Sequence, residues 1–339
     1  MTVQRRTMQD KIDIVYLWVD GADEVWQAKR RQAYANWSKQ NLDELAIYGN
    51  NAGRYRDNGE LRFNLRSLEK FFPNHGHIYI VTDGQTPNWL RSSKGLTLID
   101  HSDLIPQPST GVFDSGHIET YLHRIPGLSE KFFYLNDDVF FGTKVDEDWW
   151  FGGQLKVFSE ALPVAQTTVT KNGTALVNAS IQSRDWMQQH YPNYQHDPRV
   201  YTHAPRPMLK SAMQELEALA PKLFKQVRAT NFRSWRVPPI VPDLLPRWMV
   251  HVGYAQQRTL NPLHISTGTP QAEAQFDLLT DKFGHIPFFC INDTSDNLPD
   301  DDFQLLRITD TLANLLPQPS SFERVHESAS MTSSAAQWR

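Results

Sequence analysis

Two carboxylates, Asp137 and Asp138, directly follow a run of aromatic and aliphatic residues at 132–135. The run predicts a buried strand, and Asn136 and the two acids stand at its carboxyl end. In an open α/β sheet this edge is where ligands bind. Adjacent acids are hard oxygen ligands suited to Mg²⁺ or Mn²⁺, ions that commonly accompany a nucleotide diphosphate. From this stretch alone, an ordinary Asn/Asp turn explains the same residues equally well.

Other predicted strands end in the same way, which makes turn chemistry alone a weaker explanation. The runs are 12–19, 77–83, 96–100 and 288–293, and they end at Asp20-Gly21, Asp83-Gly84, Asp100 and Asn292-Asp293. Helical stretches separate the strands in the first part of the chain. This alternation is typical of a parallel nucleotide-binding sheet. We therefore predict an α/β fold with a mostly parallel, Rossmann-like (GT-A-like) sheet flanked by helices. Two Asn-Asp strand ends also favour a divided metal or phosphate site.

A capped helix is predicted after Arg56. Asp57 is expected to accept backbone N–H groups, and Glu60 to reach back from the third helical position. The apolar face of this helix consists of Leu61, Leu65, Leu68 and Phe72. Arg62 and Arg66 lie one turn apart beside that face, where their guanidinium groups suit phosphate oxygens. A solvated helix surface explains the two arginines as well.

Two histidines are candidates for substrate chemistry. His117 lies near the start of a helix predicted over 113–129, with Glu119 two residues on and pointing elsewhere. A lone histidine is more often structural, so substrate contact is the weaker interpretation there. His203 lies in a proline-constrained loop before a helix and is placed to accept a proton from an attacking hydroxyl. Residues 228–254 add Arg233 among basic and aromatic side chains that suit either an anionic ligand or a surface helix.

The composition excludes several classes of protein. The chain has 339 residues, 40% of them hydrophobic, and a formal net charge of −4 with no basic block, so nucleic acid is not expected as a partner. Its single cysteine, Cys290, excludes an internal disulfide and suggests a reducing compartment. Residues 1–11 contain no apolar signal region, and no later stretch predicts a membrane span. We expect a soluble, cytoplasmic protein, with peripheral docking at the inner face of the plasma membrane left open.

Four stretches together carry a family resemblance. The first is IDIVYLWVDG at 12–21, and the second runs from RDNGELR at 56–62 through YIVTDGQ at 79–85 to LNDD at 135–138. The third pairs HAP at 203–205 with FRS at 232–234, and the fourth is CIND at 290–293. The chain resembles the Stealth family of bacterial capsule synthesis, hexose-1-phosphate transferases related to the animal lysosomal-enzyme N-acetylglucosamine-1-phosphotransferase. Leu17 departs from the threonine usual in that family.

The resemblance implies a particular phosphoryl transfer. A hexose-1-phosphate, typically N-acetylhexosamine-1-phosphate, passes from a UDP-sugar to a saccharide hydroxyl, and UMP is released. The hydroxyl attacks the β-phosphorus while the sugar's C1–O bond stays intact, so cations and positioning supply most of the catalysis. The implied partners are a UDP-sugar donor, a saccharide or polysaccharide acceptor and, at the membrane surface, a capsule assembly complex.

The resemblance also implies roles for named residues. His203 is expected as the general base and Arg233 as the clamp on the transferred phosphate. Asp293, together with Asp137 or Asp138, is expected to hold Mg²⁺ or Mn²⁺.

Further residues are assigned to substrate binding. Asp20, Arg62 and Arg66 are expected to hold the diphosphate or to orient the loop after the first strand, and Asp20 is counted with the catalytic residues. The remaining substrate-binding candidates are Arg56, Asp57, Glu60, Asp83, His117, Asn136 and Asn292.

The expected organisation has four parts. A nucleotide-sugar-binding α/β core spans 12–143, and residues 144–200, which are rich in Trp, Gln, Asn and Thr, form an insertion or lid. The rest of the catalytic domain spans 201–316, and a Ser-, Ala- and Pro-rich flexible tail follows at 317–339. Two other functions stay open. One is a metal-dependent GT-A-type glycosyltransferase that releases UDP, and the other is a sugar-binding module built from the chain's 10 tryptophans.

Overall fold

The computed structural model of the chain describes residues 11–106, 111–296, 298–299 and 301–324. The strands are β1 (Asp13–Leu17), β2 (Ile78–Thr82), β3 (Leu96–Asp100), β4 (Lys131–Asn136), β5 (Val139–Phe141), β6 (Leu155–Ser159), β7 (Arg206–Leu209), β8 (Ala255–Thr259), β9 (Leu263–Ser266) and β10 (Phe288–Asn292). The helices are α1 (Glu24–Asn41), α2 (Glu60–Phe71), α3 (His101–Leu104), α4 (Ser115–Glu119), α5 (Glu147–Phe151), α6 (Ala175–His190), α7 (Lys210–Leu219), α8 (Pro221–Val227), α9 (Leu244–His251), α10 (Ala272–Lys282) and α11 (Phe303–Leu315).

A five-stranded sheet with the order β3-β2-β1-β4-β7 forms the centre of the molecule. The contacts among β3, β2, β1 and β4 are parallel, and only β7 runs antiparallel to its neighbour. Every residue of β1 and β2 is buried, as expected for strands covered on both faces. The predicted α/β class with a mostly parallel sheet flanked by helices is therefore confirmed.

A second sheet, with the order β5-β10-β9, brings the two Asn-Asp strand ends together. The chain passes from β4 to β5 through Asp137 and Asp138, and β5 then pairs antiparallel with β10. The backbone N–H of Ile291 donates to the carbonyl of Asp138 at 3.0 Å. The acids after β4 are thereby fixed beside the strand that ends at Asn292.

Helix α2 confirms its predicted apolar face but not its predicted start. Leu61, Leu65 and Leu68 are completely buried, and each contributes about 1.5–3 kcal/mol through burial. The residue that caps the helix is Gly59, whose φ of 86° is readily adopted only by glycine, so Glu60 is the first helical residue and not the third. Its carboxylate still reaches back, accepting from the backbone N–H of Asn58 at 2.6 Å.

Two other predicted helices are shorter than expected. The helix predicted over 24–49 ends at Asn41 and continues as a 3₁₀ turn over Leu42–Glu44. The helix predicted over 113–129 is the single turn α4, followed by a 3₁₀ turn over Leu122–Arg124. Asp114 caps α4, because its carboxylate accepts from the backbone N–H of Gly116.

The boundaries predicted at 143/144 and 200/201 stay predictions. Strand β6, inside the segment 144–200, pairs in parallel with β8, so this segment is tied to the later part of the chain. Residues 317–324, the described part of the predicted loose tail, include buried positions. Phe322 and Glu323 are buried, and Glu323 pairs with two arginines of α2. Residues 325–339 of the predicted tail lie outside the described residues.

Candidate active site

A cavity of about 310 Å³ opens at the carboxyl ends of β1, β4 and β10, a size within the range of small-molecule sites. Its wall brings together Arg56, Glu60, Asn136, Asp137, Asp138, His203, Arg233, Asn292 and Asp293, all of which the sequence indicated. Parallel strands end at one edge of a sheet, so residues far apart in the chain meet there.

Carboxylates are concentrated at one part of this cavity. Burial, and then the charges of Asp138, Glu60 and Asp57, raise the pKa of Asp137 well above its usual value. Burial and then the charge of Asp57 raise the pKa of Glu60 to about 8. The negative charges of this group repel one another, and a bound cation would offset that repulsion.

Asp138 has a partner for each carboxylate oxygen. The Nε2 atom of His203 lies 3.1 Å from Oδ1, and the thiol of Cys290 donates to Oδ2 at 3.4 Å. Burial alone would raise the pKa of Asp138, but the charge of His203 and the hydrogen bonds from His203 and Cys290 lower it. An ionised Asp138 therefore holds the imidazole of His203 in a fixed orientation at the cavity wall.

Asp293 is bound to the loop that precedes α2. The Nη1 atom of Arg56 lies 2.5 Å from Oδ2 of Asp293 and donates to the hydroxyl of Ser295 at 2.9 Å. Oδ1 of Asp293 accepts from the backbone N–H of Ser295 at 2.9 Å. Gly53 lies against the same loop, and a Cβ there would lie 2.5 Å from the carbonyl oxygen of Ser295, so a larger residue does not fit.

Arginines supply positive charge to the cavity. The Nη2 atom of Arg233 donates to the hydroxyl of Ser115 at 2.8 Å. Burial, and then the nearby charge of Arg54, lower the pKa of Arg233. The buried Nε atoms of Arg54 and Arg233 have no hydrogen-bond partner among the described residues, although Nε of Arg233 lies 3.6 Å from Oδ1 of Asp114 in an ion pair. Donors of this kind suit the oxygens of a phosphate.

Arg62 and Arg66 are not part of the cavity wall. Their Nε atoms lie 2.5 and 2.6 Å from the carboxylate of Glu323, and Arg66 also donates to the carbonyl of Leu316 at 2.8 Å. The predicted phosphate contact is therefore replaced by a bond to the C-terminal segment. The physical reason is that the side chain of Glu323, which is 2% exposed, requires cationic partners once it is removed from water.

The other predicted residues outside the wall have local structural partners. Asp57 accepts from the indole N–H of Trp18 at 3.1 Å, and Asp83 pairs with Lys29 at 2.5 Å. Nδ1 of His117 lies 2.7 Å from the carbonyl of Thr230. The side chain of Asp20 accepts from the backbone N–H of Ala22, so it shapes the loop after β1.

Glu119, expected to point elsewhere, lines the cavity, whereas His117 does not. The reason is helical geometry: Ser115, Ile118 and Glu119 occupy the face of α4 that borders the cavity. Tyr134 donates to one oxygen of Glu119 at 2.8 Å, and the other oxygen is buried without a partner among the described residues. Glu119 follows Ser115 by one helical turn, and this spacing was the sequence signal that places both on the same face of α4.

Arg206 and His264 also line the cavity and were not assigned. Arg206 lies within the proline-rich stretch that carries His203, so its position in sequence was a usable signal. His264 lies on β9, which is four residues long and pairs with β10 so that His264 is opposite Cys290. No periodic pattern identifies so short a strand, and only the pairing places His264 here.

The donor set at the cavity fits a divalent cation. Asp137, Asp138 and Asp293 all line it, and the pKa of Asp137 is raised by burial and then by the negative charges gathered around it. In the described part of the chain, the one trio whose ligand atoms all lie within 4.8 Å of one another is Asp138, His203 and Cys290. The three acids are therefore not a closed cage, which agrees with the way Mg²⁺ takes one or two carboxylates and keeps water and phosphate oxygens.

The sheet and cavity together define an α/β protein with a ligand site at the carboxyl edge, rich in both carboxylates and guanidinium groups. Models of three conserved regions of the Stealth proteins match the chain: CR1 at residues 10–36, CR2 at 54–157 and CR4 at 285–333. The chain belongs to the Stealth family. The assignment of His203 and Arg233 to a further family region stays a prediction.

Curated relatives are similar over most of the chain. The capsular polysaccharide phosphotransferase cps1A of Actinobacillus pleuropneumoniae is 30% identical over 295 residues, which cover 83% of this chain and 77% of the relative. The capsular polysaccharide phosphotransferase of Actinobacillus suis is 31% identical, with 86% and 79% covered. The exopolysaccharide phosphotransferase SCO6023 of Streptomyces coelicolor is 31% identical, with 94% of this chain and 53% of the relative covered.

Among solved structures, the galactosyltransferase LgtC in complex with donor and acceptor sugar analogues superposes with a TM-score of 0.40 at 10% identity, covering 91% of this chain and 98% of that chain. At so low a similarity, the fold class rests on the strand order of this chain itself. Across the residues described, none of the helices combines the length and the apolar character that a bilayer crossing requires.

Proposed function

We propose that this protein transfers a hexose-1-phosphate, typically N-acetylhexosamine-1-phosphate, from a UDP-sugar to a saccharide hydroxyl in capsular or extracellular polysaccharide synthesis. The observation that carries the proposal is one cavity holding an Asp138–His203 pair, further carboxylates and two arginines whose buried Nε atoms lack a hydrogen bond among the described residues. Family membership supports the same choice, because curated relatives are named as phosphotransferases.

The proton of the acceptor goes to His203 in this proposal. Asp138 accepts the hydrogen bond from Nε2–H of His203, which leaves Nδ1 unprotonated and basic. The acceptor oxygen then forms a bond to the β-phosphorus, and the bond from that phosphorus to the bridging oxygen breaks. UMP leaves, and the bond between the sugar's C1 and its phosphate oxygen is not touched.

The charge of the transferred phosphate is met by side chains of the cavity. Arg233, fixed by Ser115, is the proposed clamp, and Arg56 keeps the Asp293 loop in place. Mg²⁺ or Mn²⁺, held by Asp293 with Asp137 or Asp138, would neutralise charge on the diphosphate. Glu60, Asn136 and Asn292 remain the proposed polar contacts of the donor, while Asp20 orients the loop after β1.

Product analysis by phosphorus NMR tests the proposal. The protein is incubated with UDP-N-acetylglucosamine, Mg²⁺ and a capsule-like oligosaccharide, with His203→Ala as the inactive comparison and the exposed His285→Ala as the matched control. A phosphodiester signal together with UMP, from wild type and His285→Ala alone, supports it. UDP with no phosphorus in the glycan would mean glycosyl transfer, and sugar binding without nucleotide release would mean a binding module.

The proposed place of reaction is the cytoplasm, with peripheral association at the inner face of the plasma membrane and with a capsule assembly complex. A single cysteine fits a reducing compartment. Fractionation of cells tests this, with the protein expected in the soluble fraction and released from membranes by salt. Recovery from an oxidising extracellular fraction would contradict it.

A further inference from the structure

The side chains of Asp138, His203 and Cys290 bring an oxygen, a nitrogen and a sulfur atom within 4.8 Å of one another. We refer to these three residues as the Asp-His-Cys cluster. We propose that this cluster is a binding site for a thiophilic divalent cation such as Zn²⁺, distinct in its ligands from a Mg²⁺ or Mn²⁺ site at Asp137 and Asp293, and that occupation of the cluster inhibits the enzyme by binding His203.

The ligand atoms of the cluster lie near enough for a tetrahedral zinc site once one oxygen of Asp138 turns toward both other ligands. Zinc ligands at about 2.0–2.3 Å from the metal in tetrahedral directions are about 3.3–3.8 Å from each other. The Nε2 atom of His203 lies 3.1 Å from Oδ1 of Asp138, and Sγ of Cys290 lies 3.4 Å from Oδ2. Small rotations of the side chains therefore suffice to admit the ion, with a fourth position left for water.

The fold fixes two of the three ligands, one on a strand and one in the turn that precedes the neighbouring strand. Cys290 is in β10 between β5 and β9, and Asp138 is fixed by the hydrogen bond from Ile291 to its carbonyl. Cys290 is completely buried, while the partly exposed side chains of Asp138 and His203 line the cavity. An ion entering from the cavity would meet Asp138 and His203 at the wall first. The sulfur of Cys290 is not part of the wall but lies within 4.8 Å of their ligand atoms.

The ligand types decide which cation is bound. Mg²⁺ and Mn²⁺ prefer oxygen ligands and gain little from a thiol, whereas Zn²⁺, Cd²⁺ and Co²⁺ bind sulfur and imidazole well. Binding converts the thiol of Cys290 to a thiolate and releases its proton to the buffer, with no change of oxidation state. The metal takes the Nε2 atom of His203, and the proton of that atom moves to Nδ1. Nδ1 then has no free lone pair with which to accept the proton of the acceptor hydroxyl.

Cobalt spectroscopy offers a direct test because the chain contains one cysteine. Co²⁺ is added to the metal-free, reduced protein, and near-ultraviolet thiolate-to-cobalt absorption is recorded with the visible bands of a tetrahedral ion. The expected result is one Co²⁺ per chain with a thiolate band, displaced by Zn²⁺ but not by Mg²⁺. Absence of the thiolate band, or displacement by Mg²⁺, overturns the site.

Variants separate the cluster from adventitious binding. Cys290→Ser and His203→Gln are expected to weaken Zn²⁺ binding, measured by competition with a chromophoric chelator, by at least about 100-fold. The exposed His285→Gln is the matched control and is expected to bind as wild type does. Circular dichroism confirms folding of each variant. Unchanged affinity in folded Cys290→Ser overturns the proposal.

The inhibition by Zn²⁺ rests on the proposed function, whereas the binding does not. In the presence of excess Mg²⁺, Zn²⁺ at the concentration that fills the cobalt-detected site is expected to stop sugar-1-phosphate transfer, and a chelator selective for Zn²⁺ to restore it. Full transfer with the site occupied overturns the inhibitory role. An enzyme without any basal transfer refutes the proposed function instead, and the cobalt spectrum then decides whether the cation site exists.

Discussion

Arg56 and Asp293 are 237 residues apart in the chain, yet Nη1 of Arg56 lies 2.5 Å from Oδ2 of Asp293. The arginine belongs to the loop before α2, and the acid follows β10. Both side chains are largely removed from solvent, at 15% and 3% exposure. This ion pair therefore joins two parts of the cavity wall that come from distant parts of the chain.

Removal of the arginine is expected to destabilise the protein. Arg56→Gln leaves the Asp293 carboxylate desolvated and without its cation, so the free energy of unfolding should fall by about 3 kcal/mol. Urea unfolding of the wild type and of Arg56→Gln measures this difference in free energy. The double variant with Asp293→Asn should lose less than the sum of the two single changes, with a coupling of about 0.5–3 kcal/mol. Strictly additive losses would show that the pair is not an energetic unit.

The role of His203 as base predicts a split between turnover and binding. His203→Ala is expected to lower kcat by about 10²–10⁴, because no base remains to accept the proton of the acceptor hydroxyl. The Kd of the UDP-sugar, measured by calorimetry, should change little, because the proposal places this group at the acceptor hydroxyl. Equal loss of binding and turnover would refute the assignment of His203 as base, and His285→Ala serves as the control.

Crowding of carboxylates around Asp137 predicts a metal-dependent stability. Mg²⁺ at 100 times its Kd is expected to stabilise the wild type by about 2.7 kcal/mol relative to EDTA. Asp137→Asn should be more stable than the wild type in EDTA, since it removes a partly buried acid whose pKa is raised by desolvation and then by the neighbouring carboxylates. The variant should respond weakly to Mg²⁺. Thermal unfolding measures both the stability in EDTA and the stabilisation by Mg²⁺.

A suitable control is Asp83→Asn, because Asp83 is outside the cavity wall and pairs with Lys29. It should keep the response to Mg²⁺. The metal assignment fails if Asp137→Asn responds as strongly as the wild type does.

Glu323 predicts a defined pH dependence of stability. Burial would raise its pKa, but hydrogen bonds from Arg66, the backbone of Ser320 and Arg62 lower it to about 2, from 4.5. Because the folded-state pKa is depressed, the stabilisation by ionised Glu323 is complete above pH 4.5 and is lost as the pH falls from there toward 2. Glu323→Gln should therefore cost about 1–3 kcal/mol at pH 7 and progressively less below pH 4.5.

Urea unfolding at a series of pH values tests this sign. Glu24→Gln, at an exposed position, is the control and should differ little from wild type throughout. An equal cost of Glu323→Gln at both ends of the pH range would contradict the ion pair as its cause.

Much of the central sheet was predictable because its signals are local. Strands β1, β2 and β4 are continuous apolar runs that end in acids, and the alternation of strands with helices indicated parallel pairing. The apolar face of α2 followed from spacing alone, whereas its start did not, because Gly59 in a left-handed conformation shifted the cap.

Tertiary structure decided which charges meet. Arg62 and Arg66 have the chemistry of phosphate ligands, but both bind the buried carboxylate of Glu323 and do not line the cavity. Glu119 lines the cavity and His117 does not, because α4 is a single turn with one face on the cavity.

The sequence by itself determined the α/β class, the acids at the strand ends and His203 as a candidate base, because periodicity and turn chemistry act over a few residues. Only the tertiary structure placed His203 and Cys290 on the two oxygens of Asp138 and His264 opposite Cys290. Those contacts span 65 and 152 residues between the first two pairs, and no local pattern encodes a pairing at such separation. They arise from the packing of two sheets, whose registers fix which side chains share the cavity.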